Sequence, residues 1–219
     1  VIRAAYRPPT ISPQRAQSYL QNPAWHRIDA HFGNAATLVA YHLPDGRFQP
    51  GDIVPVTLLW QIHRRLPHNE TLSVKLLGRG ERLLGERHRY PGKGNAATTV
   101  WPVNQWLLDQ FSVPISQAFA LPTAARIGVV LFHHEQNENS ALPVKDSNGN
   151  ALGGQVIFGR VRLEAKMENR VPGWPVVQPL GDHFGKGQLT LAGMTLTPRQ
   201  TAPNTPVDIV FRWQVHKRL

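Results

Sequence analysis

The sequence predicts an all-β protein: an antiparallel two-sheet sandwich, immunoglobulin-like or jelly-roll-like, followed by the first strands of a second similar unit. Three observations predict it. The stretch Val54-Pro55-Val56-Thr57-Leu58-Leu59-Trp60-Gln61-Ile62-His63-Arg64-Arg65-Leu66 is written again as Val207-Asp208-Ile209-Val210-Phe211-Arg212-Trp213-Gln214-Val215-His216-Lys217-Arg218-Leu219. In the second copy Val207, Ile209, Phe211, Trp213 and Val215 alternate with mostly polar residues, the period of a half-buried strand. Finally, 19 prolines and 18 glycines run through all 219 residues and divide them into short apolar runs at near-regular spacing, with no convincing long helix.

The repeat sets the domain plan. Ala30-His31-Phe32-Gly33 returns as Asp182-His183-Phe184-Gly185, 152 residues on, and Trp60-Gln61-Ile62-His63 returns as Trp213-Gln214-Val215-His216, 153 residues on. One residue is therefore inserted between the two matches, and a unit recurs. Residues 1–25 read as an N-terminal linker, because Arg7-Pro8-Pro9 and Ser12-Pro13 discourage helix and any turn around Gln14–Gln21 has little apolar face. Residues 26–166 read as the complete sandwich, 167–181 as a second linker, and 182–219 as an incomplete second copy holding only a strand pair.

Strand signals begin at Trp25. Ala36–Leu43, with Leu38, Ala40 and His42 on one face against Thr37, Val39, Tyr41 and Leu43, precedes the turn Pro44-Asp45-Gly46, and Ile53–His63 follows Pro50-Gly51-Asp52. Leu72–Leu77 and Leu83–Tyr90 flank Gly78-Arg79-Gly80 as a hairpin. Trp106–Ile115 and Ala124–His133 come next, the latter a central-strand pattern. Leu142–Lys145, the turn at Asn148-Gly149 and Gln155–Lys166 finish the unit, with Val161 and Leu163 opposing Arg160 and Arg162. In Ile53–His63, alternation puts Trp60 in the core with Val56, Leu58 and Ile62, and leaves Gln61 and His63 on the other face.

Hydrophobic content of 41% with 17% charged residues indicates a globular chain. No run approaches the length of a membrane-spanning helix. The absence of cysteine excludes disulfides, thiolate metal sites and cysteine nucleophiles. A net charge of +10 favours anionic partners, though a solvated basic surface explains it equally. The basic cluster Lys75, Arg79, Arg82, Arg87, Arg89 and Lys93 would lie largely on one exposed hairpin face, but it lacks the interleaved aromatics of nucleic-acid binders, so nucleic acid is an unfavoured partner.

Each chemical motif has a plainer explanation. Asp146-Ser147-Asn148-Gly149-Asn150 spaces oxygen ligands like a calcium loop, but Ala151 and Ile157 stand where glycine and glutamate are required, and Asn-Gly between strands is a hairpin signal. His133-His134-Glu135 offers metal ligands, yet adjacent strand histidines point to opposite faces. The 14 acidic residues are scattered, and no nucleophile elbow or phosphate-binding loop occurs, so no catalysis, metal or cofactor is expected of this chain. The weak ligand-binding candidates are Trp101, whose flanking residues could present its ring to a sugar, His63 and Arg65 in the repeated motif, and Arg87 and Arg89 in the basic hairpin.

The order Pro50-Gly51-Asp52…Leu59-Trp60, Val74-Lys75-Leu76-Leu77, Pro91-Gly92, Thr98-Thr99-Val100-Trp101-Pro102, Leu108-Asp109, Gly128–Phe132 and Leu142–Gly149 resembles the extracytoplasmic β-sandwich domains of bacterial envelope glycosyltransferases of the dolichyl-phosphate-mannose mannosyltransferase-like type, found in Chloroflexota-like genomes and often in tandem. The resemblance covers about residues 1–166, restarts at 181, and likens Val1–Pro9 to a segment leaving a membrane helix. It implies a non-catalytic accessory domain, extracytoplasmic and membrane-tethered through the rest of the polypeptide, that positions a glycan or polyprenyl-linked sugar. A free-standing carbohydrate-binding or adhesive module, and a basic surface for anionic envelope polymers, are the alternatives. The incomplete second unit, with its apolar strand face, is expected to pack on the first sandwich, to pair with another chain or in a homo-oligomer, or to be the opening of a domain whose remainder is cut off.

Overall fold

The computed structural model describes residues 9–117, 123–135, 138–164, 178–185, 188–197, 203 and 208–216. They belong to two compact units, the first reaching Glu164 and the second following it. In chain order the elements of the first unit are β1 (Thr10–Ile11), α1 (Pro13–Gln21), β2 (Trp25–Phe32), β3 (Ala36–His42), β4 (Arg47–Phe48), β5 (Ile53–Ile62), β6 (Thr71–Leu77), β7 (Leu83–Arg89), β8 (Trp106–Pro114), β9 (Thr123–Glu135), β10 (Glu138–Ala141), β11 (Val144–Lys145), β12 (Ala151–Gly153) and β13 (Val156–Leu163). The second holds β14 (Gln178–Phe184), β15 (Leu189–Thr197) and β16 (Asp208–Val215).

The first unit is all-β and sandwich-like. One sheet runs β1-β8-β5-β3-β2-β11-β12 and the other β4-β13-β9-β6-β7, with β10 added to β9. Pairing is antiparallel except between β4 and β13. Side-chain period two explains the core. Val56, Leu58, Trp60 and Ile62 of β5 are at most 1% exposed, as are Leu72, Val74 and Leu76 of β6 and Ile127, Val129 and Leu131 of β9. Tyr41 of one sheet packs on Phe158 of the other at 4.5 Å between ring centroids. The expected hairpins form between β6 and β7 and, around Gly149 at φ 84°, between β11 and β12.

Three expectations are corrected. Residues 10–21 do not behave as a linker. Ser12 caps the helix by accepting from the Arg15 N–H, Pro13 starts it, and Ala16, Tyr19 and Leu20 pack on Ala40, Leu59, Trp25, Trp106 and Leu108. The apolar face is short, but small Ala40 admits it. Second, Leu38 and Ala40 do not share a face, because a bulge between them re-phases β3: Leu38 pairs with Trp60 inside, Ala40 with Leu59 outside. Third, the described residues of the second unit form three strands rather than two. The glycine within Leu189–Thr197 hid β15. Of the expected 167–181 linker, residues 167–177 lie outside the described residues, while Gln178–Gly181 already belong to β14.

The repeat is reproduced in three dimensions. β14, β15 and β16 stand for β2, β3 and β5. The bulge between Arg27 and Ala30 recurs between Pro179 and Asp182, and the one between Leu38 and Ala40 recurs between Leu191 and Gly193. Phe32 meets Trp60 edge-on at 5.1 Å and 62°, and Phe184 meets Trp213 at 5.2 Å and 64°.

Candidate ligand-binding face

Cross-strand register builds one row of side chains on the outer face of the larger sheet. Lys145, His31, Thr37, Gln61, Trp106 and Ile11 are successive partners across β11, β2, β3, β5, β8 and β1. Thr37 is 5% exposed and its Oγ1 lies 3.0 Å from His31 Nδ1 and 2.8 Å from His63 Nε2. The backbone holds His63 in place, its N–H and that of Arg64 both donating to the Ala35 carbonyl. In the second unit Thr190 Oγ1 lies 2.9 Å from His183 Nδ1 and 2.8 Å from His216 Nε2. Occurring in both units, the His–Thr–His bridge pins three strands together. Its threonine escaped notice in the sequence, although Thr190 stands 153 residues after Thr37, in phase with the Trp-Gln-x-His repeat.

A hydroxyl has one hydrogen, so at most one of the two imidazoles can accept from Thr37 while the other donates to it. Desolvation, then the neighbouring His31, holds His63 below its usual value near 6.5. The folded state thus binds this proton less readily than the unfolded chain. The stability it contributes is present above about pH 6.5 and lost as pH falls through the lower folded value. Thermal melts between pH 7.5 and 5.5 should show this loss in the wild type and less of it in His63→Gln. Thr37→Val, of similar shape, should cost about 0.5–1.5 kcal/mol at neutral pH; an unchanged melt would show that the bridge carries no stability.

At the far end of the row lies an open cleft of about 470 Å³, lined by Thr10, Ile11, Ser12, Pro13, Asn104, Gln105 and Trp106. Two hydroxyls and two amides surround a partly buried indole, with no charged side chain among them. Asn104, in the left-handed region at φ 59°, donates its N–H to the Ile62 carbonyl, and Ile62 donates to the Gln105 carbonyl. The cleft wall is therefore tied to the same strand that carries Gln61.

The sequence-derived candidates mostly serve the framework. Trp101 is 1% exposed and its Nε1–H donates to the Ala96 carbonyl at 2.9 Å, so its ring is not offered to a sugar, and that expectation is corrected. Arg65 Nε donates to the Trp101 carbonyl at 3.2 Å and latches the loop. Arg89 reaches Asp109 at 2.7 Å and lies over the Phe111 ring at 3.9 Å. Arg87 is exposed but shares the core-facing side of β7 with Arg89, since their partners are Val74 and Leu72, whereas Lys75 faces outward with Glu86. The basic hairpin residues therefore do not form one face. His63 alone joins the outer-face row.

Two carboxylates, Glu70 in the interior and Asp146 at the surface, stitch loops. Glu70, 2% exposed, lies 3.1 Å from His133 Nδ1, and its N–H donates to Thr98 Oγ1, whose hydroxyl donates to the His68 carbonyl. Burial pushes the Glu70 carboxyl up against the opposing pull of His133 and His68. Asp146 accepts from the N–H groups of Asn148 and Asn150 and from the Asn150 amide, which closes the Asn-Gly hairpin and holds its carboxyl low. Among the described residues no three histidine or acidic side chains converge as metal ligands.

The chain is thus an all-β, sandwich-like protein that repeats a three-strand unit with the same histidine bridge. No protein-family model, curated protein or solved structure matches it.

Proposed function

We propose that this chain is a non-catalytic β-sandwich module, immunoglobulin-like or jelly-roll-like, that binds and positions a neutral glycan. It would act as an accessory domain of a membrane-tethered envelope glycosyltransferase. The observation that carries the binding role is the cleft beside Trp106. Sugars present hydroxyls that pair with amide and hydroxyl groups and apolar C–H faces that stack on an indole, and Thr10, Ser12, Asn104, Gln105 and Trp106 supply both around one concavity. The attachment to a glycosyltransferase is supported by the order of motifs from Pro50-Gly51-Asp52 to Asn148-Gly149 and by the tandem repeat.

Titration with neutral oligosaccharides, followed by tryptophan fluorescence and calorimetry, tests the reading. Gln105→Ala and Asn104→Gly, the latter keeping the left-handed backbone free of strain, should each weaken binding by about tenfold. Binding that persists unchanged in both variants, or a ligand panel with no binder, would sink it. Binding that collapses steeply with salt would instead favour the net charge of +10 as the determinant and an anionic polymer as the ligand.

A further inference from the structure

We infer that the cleft beside Trp106 is one end of a longer groove, which takes a linear neutral oligosaccharide laid across the strands. This rests on the glycan reading of the cleft and extends it from one sugar to a chain. From Ile11 to Lys145 the outer-face row crosses β1, β8, β5, β3, β2 and β11. Neighbouring strands lie about 4.8 Å apart, so the row is about 24 Å long, the span of several joined sugars rather than one. Helix α1 forms one bank. Its Ala16, Tyr19 and Leu20 cover Ala40, Leu59 and Leu108, the outer-face residues flanking the row on that side. His63 and Asn104 border the other side, where the Asn104 N–H is tied to the Ile62 carbonyl. Between these banks His31 and Lys145 are exposed and Gln61 and Trp106 partly so.

The chemistry of the row suits a polyhydroxyl chain. The Thr37 hydroxyl engages His31 Nδ1 and His63 Nε2, which fixes both rings in advance and leaves His31 Nε2 and His63 Nδ1 for a ligand. Rings held in place lose little freedom on binding, so their hydrogen bonds to sugar hydroxyls are not offset by ordering. Amide, imidazole and ammonium groups along the row both donate and accept, as sugar hydroxyls do. No acidic side chain stands in the row and Lys145 is its one permanent charge, too few for a track along a polyanion. The amide of Gln61 has no part in the histidine bridge, yet the second unit keeps it. His183, Thr190 and Gln214 stand in register as His31, Thr37 and Gln61 do. A bridge that only joined strands would leave this solvent-facing position unconstrained.

Calorimetric titration of the 219-residue chain with linear gluco- and manno-oligosaccharides of about two to about six units tests this. Affinity should rise by about tenfold or more from the shortest to the longest. Lys145→Ala and His31→Ala, at the end of the row away from Trp106, should each abolish that rise, so that long and short sugars bind alike. Lys145 is exposed on a strand of 2 residues, so its alanine variant tests the groove without threatening the fold. A wild-type chain that binds every length equally, or a rise that survives both variants, overturns the inference and leaves the cleft reading standing. Binding of no length at all sinks both.

Discussion

Asp109→Ala should lower the stability of the first unit by about 3–5 kcal/mol, because it strands the charge of Arg89 at the sandwich edge. Asp109 is fully buried on β8; Oδ1 accepts from Arg89 Nη2 at 2.7 Å and Oδ2 accepts from the Gly92 N–H at 2.8 Å. Arg89 comes from β7 of the opposite sheet, so one carboxylate joins both sheets and the Pro91–Asn95 loop. The sheets meet closely there: a Cβ placed on Gly85 of β7 would fall 2.1 Å from the Pro114 carbonyl oxygen, which only glycine avoids. A melting-temperature drop of about 10 °C or more is expected, and a drop of less than about 2 °C would refute the bridging role. The double variant Asp109→Leu with Arg89→Met should recover most of the loss, since replacing both charges by apolar groups removes two desolvation penalties. Burial outweighs Arg89 and the loop amides and pushes the Asp109 carboxyl up. Its folded form holds the proton more readily, so its contribution falls as pH rises through the folded value, opposite in sign to Asp146.

The second large effect is expected at Trp60. Its ring is 1% exposed, lies between Leu38 and Leu107 in register, and meets Phe32 edge-on. Its Nε1 has no hydrogen-bond partner, so truncation removes packing alone. Trp60→Ala should cost about 3–5 kcal/mol through lost contact and a residual cavity. The same substitution at Trp213, 47% exposed, should leave the melting of the first unit unaltered. Equal losses from the two variants in dilute solution would show that the repeat positions are not differently covered.

Much of this architecture is legible in the sequence. Alternation in Val54–Ile62 placed Trp60 inside and Gln61 outside because side-chain period is a local property of extended backbone. Gly-rich and Asn-Gly connections predicted the β6–β7 and β11–β12 hairpins for the same local reason. Bulges defeated the reading of Ala36–Leu43, since one extra residue inverts every side chain after it. Helix α1 was missed because its stability comes from Ala40 and Leu59 on distant strands, not from its own weak amphipathicity. Trp101 looked available to a ligand only because sequence neighbours say nothing of a ring folded back onto Ala96.

The sequence by itself determined the strand class, the repeat and which faces of β5 and β16 are apolar, all consequences of period and local turn chemistry. Tertiary structure alone decided that Thr37 bridges two histidines, that Asp109 takes Arg89, and that Trp106 borders a cleft. Each of these joins strands far apart in the chain, and register between distant strands is set by packing, which no local pattern records. The motif repeated at Val54 and Val207 shows both sides at once: its alternation is identical, yet Trp60 is buried and Trp213 is half exposed, because among the described residues only the first has a sheet laid over it.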